Sequence, residues 1–157
     1  MAEFSVDFIN PFLSAATKII SEMCMVETKI GKPTLKEPVF DGDSIVIIIG
    51  VTGEMKGQVM VALGFQTACD IASKMMMGMP VDELNELAKS AICELGNMIL
   101  GNAATIFSNK GIAIDITPPT LAVGNMSFSQ TFAKNICVPI DYNGYGTIDM
   151  NIAMKQD

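Results

Sequence analysis

The stretch Ser90-Ala-Ile-Cys-Glu94-Leu-Gly-Asn97 places a hydroxyl, a carboxylate and an amide at four- and three-residue spacings in an otherwise apolar segment. In a helix, at about 100° per residue, these three side chains and Gly101 share a face about 60° wide. This face lacks the dense Lys and Glu pairs of a solvated helix, and its glycine leaves room for close approach. The opposite side has an apolar stripe formed by Leu84, Ala88, Ala91, Leu95, Ile99 and Ile106. We therefore expect one face to pack in the core and the other to dock a partner.

The composition indicates one acidic globular unit. The chain has 157 residues, 50% of them hydrophobic, which is enough for a full core without disulfides or metal. Its formal net charge is -7, with ten Lys plus Arg. Nucleic acids and anionic membranes are bound mainly through basic residues, so both are disfavoured as partners. We expect a single domain over residues 1–157.

The cysteines indicate a reducing compartment and no metal centre. Cys24, Cys69, Cys93 and Cys137 are widely separated, and the chain contains no His. Neither a zinc site nor a redox motif can be written from them, so we expect reduced, buried thiols and no cofactor of the chain's own. The first residues form no basic leader, and the apolar run 45–51 is too short to span a bilayer. The expected location is the cytoplasm.

Three helices are predicted from apolar spacing and end signals. The first begins with Asn10 as N-cap and Pro11 at its first position. The second covers residues 66–77. The third opens at the acidic pair 82–83, where negative charge suits the helix dipole, and continues to Ser108. Within it, Gly96 points away from the polar face and would admit a neighbouring helix.

The remaining segments predict short strands and hairpins. The run 45–49 is apolar on both faces, which indicates a central strand covered on both sides. Helices and hairpins occur in blocks, so the predicted fold class is α+β with a mostly antiparallel sheet. The predicted extended segments are 26–35 with a break at 31–33, a hairpin of 44–51 and 56–63, 112–116, 131–142 and 146–154, with a loop at 120–127.

The first and third helices share a short pattern. Ser14-Ala-Ala-Thr-Lys18-Ile-Ile-Ser21 has the spacing of the 90–97 stretch, with Lys18 in the place of Glu94 and Ser21 in the place of Asn97. An internal duplication with one decayed copy and a chance match over eight residues both account for this pattern.

These features together resemble the CheC/CheX/FliY phosphatase family of bacterial chemotaxis. The resemblance rests on Ser-x-x-x-Glu-x-x-Asn, the Gly-Asn-x-x-x-Gly-Asn run from Gly96 to Asn102, the proline pair 118–119 and the flanking hairpins, and it covers nearly the whole chain. The chain is most similar to the CheX branch, since CheC-type members usually have an intact motif on both related helices. The resemblance implies hydrolysis of the aspartyl phosphate of a CheY-type response regulator.

The resemblance also implies roles for the residues of the polar face. Asn97 would orient the attacking water, because an amide has no useful basicity and cannot act as a general base. Glu94 would dock the regulator through its active-site lysine. Ser90 and Gly101 are candidate partner-binding positions. The Mg²⁺ ion would belong to the regulator, and a homodimer joined through a sheet edge is expected.

Other interpretations of the same sequence are open. The chain could be a non-catalytic regulator-binding or flagellar-switch scaffold module of the same fold, or a small-ligand-binding α+β domain. From pattern alone, Glu94 and Asn97 could belong to an ordinary solvated face. Residues 75–77 and Met79 could line a partner surface or pack in the core, and residues 41–43 are expected to form a simple turn rather than a calcium loop.

Overall fold

The computed structural model describes residues 6–128, 134–143 and 146–156. Along the chain, its helices and strands are α1 (Val6–Cys24), β1 (Thr28–Ile30), β2 (Thr34–Leu35), β3 (Val39–Phe40), β4 (Ile45–Gly53), β5 (Met55–Leu63), α2 (Phe65–Met75), α3 (Glu86–Asn109), β6 (Ile114–Ile116), β7 (Thr120–Val123), β8 (Met126–Ser127), β9 (Ile136–Tyr142) and β10 (Thr147–Gln156).

An antiparallel sheet forms the centre of the molecule. Its strand order is β1-β9-β10-β5-β4-β6, with β2 also paired to β9 and β7 also paired to β4. The β4–β5 hairpin pairs Ile45 with Leu63 and Val51 with Gly57. Strands β3 and β8 form a separate two-stranded ribbon. The predicted α+β class, the predicted hairpin and the antiparallel C-terminal strands are confirmed.

The sheet order is symmetric about the β5–β10 pair. Each strand has a counterpart at the same distance from the other edge of the sheet: β1 corresponds to β6, β9 to β4, and β10 to β5. The chain order agrees, because α1 is followed by β1, β4 and β5, and α3 is followed by β6, β9 and β10. Strand β5 pairs with β10 along its whole length, from Leu63 with Ile148 to Met55 with Gln156. This symmetry supports the internal duplication over the chance match.

The core lies between the helices and one face of the sheet. Helix α1 packs on α3, where the rings of Phe12 and Phe107 meet edge to face with centroids 5.2 Å apart. The other face of β4 is also covered, because Val46 is buried and packs in a second cluster that includes Phe40 of β3. The prediction of a strand covered on both sides is therefore confirmed.

The predicted starts of two helices were wrong. Helix α1 begins at Val6, so Pro11 lies inside it rather than at its first position. The earlier start buries Ile9, which extends the apolar stripe by one turn. The cost is small, because a proline this close to the helix N-terminus removes only one helical hydrogen bond. Helix α3 begins at Glu86 rather than at the acidic pair, because the side chain of Asn85 accepts a hydrogen bond from the Ala88 N–H at 2.9 Å and forms the N-cap.

The predicted loop at 120–127 was also wrong. It contains β7, which pairs with β4 from Val123 with Ile45 to Thr120 with Ile48, and β8, which pairs with β3. The edge of β4 that faces away from β5 would be unpaired at residues 45–48, and pairing with β7 satisfies the backbone groups there. Part of the predicted strand 131–142 lies outside the described residues, and β9 begins at Ile136.

The methionines at 75–77 and 79 were expected either to line a partner surface or to pack in the core, and the structure shows some of them in each role. Met75 and Met76 pack against the core, whereas Met77 and Met79 are exposed. All four cysteines are free thiols, and Cys93 is half-buried while the others are buried. The part of the chain that the structure describes contains no helix both long and apolar enough to cross a membrane.

Candidate functional site

Helix α3 is seated on the sheet through Gly96. A Cβ added at Gly96 would lie 2.9 Å from Ile47 Cγ2 and 3.5 Å from Ile49 Cδ1. The neighbour that this glycine admits is therefore strand β4, and the expectation of a neighbouring helix was wrong. Gly96 directly precedes Asn97, so the close contact between Gly96 and β4 fixes the direction in which the Asn97 side chain leaves the helix.

The rest of the buried side of α3 agrees in part with the predicted stripe. Ala88, Leu95 and Ile99 are buried, whereas Leu84, Ala91 and Ile106 are half-buried and pack at the margin of the core. The stripe is wider than expected, because the helix packs on both α1 and β4. The other buried positions of the helix are Ile92, Gly96, Leu100, Ala103 and Phe107.

The structure places the four predicted site residues on the outer side of α3. Ser90, Glu94 and Asn97 are exposed and Gly101 is half-buried. Helical geometry sets Asn97 about one turn beyond Glu94, at an axial distance of about 4.5 Å. Neither the Glu94 carboxylate nor the Asn97 amide forms a hydrogen bond or ion pair with another residue in the described ranges. Both groups are therefore available to a partner.

Gly101 leaves the surface open beyond Asn97. A Cβ added there would meet no atom within 4 Å, so the glycine is not required by internal packing. Its carbonyl oxygen accepts a hydrogen bond from the Thr105 hydroxyl at 3.2 Å, one turn later. A glycine that costs helix stability and fills no internal need is consistent with close approach of another molecule.

The related positions on α1 form a different surface. Lys18 is exposed, and the hydroxyl of Ser21 donates a hydrogen bond to the Val26 carbonyl at 3.1 Å. Four residues after Ser21, at the sequence position that corresponds to Gly101, Met25 lies just beyond the end of α1 with a φ of 56° and is 85% exposed. The α1 face therefore differs from the α3 face in charge and in its free polar groups.

The thiol beside the polar face is not suited to nucleophilic chemistry. Burial raises the pKa of the Cys93 thiol, so it remains protonated and weakly nucleophilic. Burial likewise raises the pKa of Cys24, Cys69 and Cys137. The described residues include no group of three or more His, Cys, Asp or Glu side chains that could hold a metal ion. The chemistry of the α3 face is therefore that of its amide and carboxylate.

A second polar cluster joins α2 to the sheet and was not predicted. The buried Tyr142 hydroxyl donates a hydrogen bond to Asp70 Oδ2 at 2.7 Å, and Lys74 Nζ lies 3.0 Å from the same oxygen. Partial burial alone would raise the pKa of Asp70, but the hydrogen bonds from Tyr142 and Lys74 lower it. Burial and the bond to Asp70 raise the pKa of Tyr142. The cluster fastens α2 to β9, and sequence spacing gives no sign of this link because Tyr142 is 68 residues from Lys74 and 72 residues from Asp70.

A polar cleft lies away from α3, between the β3 region and strands β5, β9 and β10. It has a volume of about 190 Å³ and is lined by side chains that include Asp41, Ser44, Asp149 and Asn151. A small-ligand site typically has an apolar pocket with a few polar groups, and this lining does not match that description.

Comparison with known proteins places the chain among chemotaxis phosphatases. The family model described as chemotaxis phosphatase CheX matches residues 45–141, which include all of β4 through α3. The CheY-P phosphatase CheX of Thermotoga maritima is 33% identical over 147 residues, covering 94% of this chain and 95% of that protein.

Solved structures agree with this result. A CheC-like superfamily protein from Shewanella sp. PV-4 has a TM-score of 0.86 at 28% identity, over 97% of this chain and 99% of that one. The CheX–CheY–BeF₃–Mg²⁺ complex from Borrelia burgdorferi matches with a TM-score of 0.80 at 32% identity, over 97% of this chain and 100% of that one.

Proposed function

The chain belongs to the chemotaxis phosphatase CheX family, and from this membership we propose that it hydrolyses the aspartyl phosphate of a CheY-type response regulator. The Thermotoga relative is named as a CheY-P phosphatase, and the Borrelia relative was crystallised with CheY. The single observation that carries the proposal is the outer face of α3, where Glu94 and Asn97 are exposed, unpaired among the described residues and bordered by an open glycine.

Asn97 is the catalytic residue of this proposal. Its amide oxygen accepts a hydrogen bond from a water and its NH₂ group donates to a phosphoryl oxygen, which holds the water in line with the phosphorus. Phosphoryl transfer passes through a loose transition state, in which position and electrostatics contribute more than proton abstraction. An amide is therefore sufficient, and no general base is needed from this chain.

Glu94 docks the regulator in this proposal. Its carboxylate is one turn before Asn97 on the same face and forms a charge-assisted pair with the regulator's active-site lysine. The pair sets the depth at which Asn97 enters the regulator. Ser90 adds a hydrogen bond at the helix surface, and Gly101 lets the two backbones approach.

Magnesium belongs to the regulator's active site in this proposal. The Borrelia structure is a complex of CheX with CheY, BeF₃ and Mg²⁺, and BeF₃ is a chemical mimic of a phosphoryl group. The ion would neutralise charge on the phosphoryl oxygens, and Asn97 would hold the attacking water in line with the bond from phosphorus to the aspartyl oxygen. We extend the proposal to a single domain over residues 1–157, a homodimer joined through a sheet edge and action in the cytoplasm.

The test is loss of phosphate from a labelled, aspartyl-phosphorylated CheY-type regulator in the presence of Mg²⁺. Catalytic amounts of this chain should shorten the lifetime of the phosphorylated regulator, with multiple turnovers per molecule. Complex formation without acceleration, with several regulators, would contradict the phosphatase proposal and favour the non-catalytic scaffold module.

Glu94→Ala is expected to weaken docking more than chemistry. Loss of one charge-assisted pair at an interface costs about 2 kcal/mol or more, so we expect KM to rise by about thirtyfold while kcat changes less. Steady-state hydrolysis over a range of regulator concentrations measures both constants. Glu22→Ala is the matched control, because the Glu22 carboxylate is exposed on the other long helix, α1, away from the Glu94 face. Equal losses of kcat and kcat/KM in Glu94→Ala would contradict a docking role.

A further inference from the structure

Leu87 continues the polar face of α3 toward its N-terminus. Its side chain is 60% exposed, although the next residue, Ala88, is fully buried. Leu87 precedes Glu94 by seven residues, which is two helical turns, so the two side chains differ by about 20° in direction and by about 10 Å along the axis. Leu87 is therefore an apolar neighbour of the proposed site and not a core residue.

Two further apolar side chains are exposed in the segment that leads into α3. Met77 is 97% exposed and Met79 is 57% exposed, in contrast to Met75 and Met76 of the same run. Met77 has a φ of 60°, in the left-handed region, and Gly78 follows with a φ of 88°. A left-handed residue other than glycine costs about 1 kcal/mol, and here it holds a large apolar side chain in solvent.

The two ends of the α3 face differ. Beyond Asn97 the same direction contains Gly101, Thr105 and Ser108, which offer no large apolar side chain. Before Glu94 it contains Leu87, which follows Glu86, and the exposed acidic residues Asp82 and Glu83 precede the helix. Lys89 Nζ lies 3.9 Å from the Glu86 carboxylate, so Asp82 and Glu83 contribute the negative charge that is not paired within this segment. Within α3, a large exposed apolar side chain on this face is therefore found at the N-terminal end.

We propose that Leu87, with Met77 and Met79, forms a docking patch for the same response regulator whose aspartyl phosphate reaches Asn97; this inference rests on the proposed function. Specific protein interfaces bury about 800 Å² on each partner, which is more than Glu94, Asn97 and Gly101 can supply. A regulator domain of about 120 residues has a radius of gyration of about 14 Å. Leu87 lies about 15 Å from Asn97 along the helix and about 80° from it in direction, on the side where Glu94 lies, so a regulator that contacts both Glu94 and Asn97 extends toward Leu87.

The patch defines what the regulator must present. An apolar surface with a basic margin would match Leu87 and the acidic side chains beside it. Methionine side chains adapt their shape to a partner, so one patch of this kind accepts related regulators. Leu87 contributes to affinity for the regulator and takes no part in the chemical step.

The test compares Leu87→Ser with Leu35→Ser. Leu35 is 65% exposed on β2, which pairs with β9 and is separated from β4 by β10 and β5. Both substitutions remove the same exposed side chain, so we expect little change in thermal unfolding for either. Leu87→Ser should raise the Kd for a CheY-type regulator loaded with Mg²⁺ and beryllofluoride by about tenfold, and raise KM equally with kcat nearly unchanged. Leu35→Ser should bind like the wild type.

Several outcomes would overturn the patch. A Kd for Leu87→Ser within about twofold of the wild type would do so, as would an equal loss in Leu35→Ser. A change in the sedimentation of Leu87→Ser without a change in regulator affinity would assign the patch to a second copy of this chain. Failure of the proposed function is distinguishable, because a wild type that binds the regulator without accelerating hydrolysis still permits the Leu87 comparison. A wild type that binds no CheY-type regulator would overturn both.

Discussion

Asn97→Ala is expected to reduce kcat for hydrolysis of the regulator's aspartyl phosphate by about a hundredfold or more. Alanine cannot hold the attacking water, so the reaction would lose the orientation on which a loose phosphoryl-transfer transition state depends. Asn97 is exposed and unpaired among the described residues, so the fold and the affinity for the regulator should be nearly unchanged. Single-turnover decay of the labelled regulator at saturating enzyme isolates the chemical step.

Asn109→Ala is the matched control for this loss. Asn109 is an exposed asparagine at the end of the same helix, about 120° from Asn97 in direction. Its substitution should leave the decay rate unchanged. Asn97→Ala protein as active as the wild type would contradict the positioning mechanism, and a loss confined to affinity would make Asn97 a docking residue.

The symmetry of the sheet raises the question of why α3 and not α1 has this role. The α1 face has a positive charge at Lys18, and the Ser21 hydroxyl is bound to the Val26 carbonyl. Met25, four residues after Ser21, lies just beyond the end of α1 with a left-handed backbone, whereas Gly101 lies inside α3. A regulator lysine would meet like charge and no free amide on α1. The two halves thus share a backbone arrangement, while the side chains confine the proposed chemistry to one helix.

Much of the fold could be predicted from local pattern. Apolar spacing identified three helices, the 44–63 hairpin and the strand with two buried faces, because these depend on residues near one another in sequence. Helix starts were less predictable, since the Asn85 cap and the burial of Ile9 are decided by individual hydrogen bonds and contacts. Strand β7 was missed because its stability comes from pairing with the distant β4.

In the candidate site, too, local sequence pattern predicted some features, while contacts between distant parts of the chain decided others. Spacing alone placed Ser90, Glu94, Asn97 and Gly101 on one exposed face, as the structure has them. The seat of Gly96 on Ile47 could not be predicted, since it requires knowing which element α3 crosses. Leu87 was not predicted as part of this face. The signal for it was present in the sequence, since a residue seven positions before Glu94 shares its direction on a helix.

Gly57→Ala is expected to destabilise the fold strongly, although it adds only one methyl group. Gly57 lies in β5 between β4 and β10, paired with Val51 on one side and Met154 on the other. An added Cβ would overlap the backbone oxygen of Ala153 and lie 2.9 Å from Met154 Cα. Backbone atoms in a paired strand cannot move aside as a side-chain end can, so the cost should reach about 3 kcal/mol or more. For a chain of this length that lowers Tm by roughly 6–12 °C.

Gly101→Ala separates this steric cost from the general effect of replacing glycine. An added Cβ at Gly101 meets nothing within 4 Å, and its backbone is helical, so alanine should raise stability by about 0.5–1 kcal/mol. Urea unfolding followed by circular dichroism measures both variants. Gly57→Ala within about 1 kcal/mol of the wild type would show that the β5–β10 pair can separate without loss, which the tight backbone approach at Gly57 argues against. Strand β5 pairs with β4, and α3 packs on β4 through Gly96. A backbone shift at Gly57 should therefore be transmitted to the α3 face through β4.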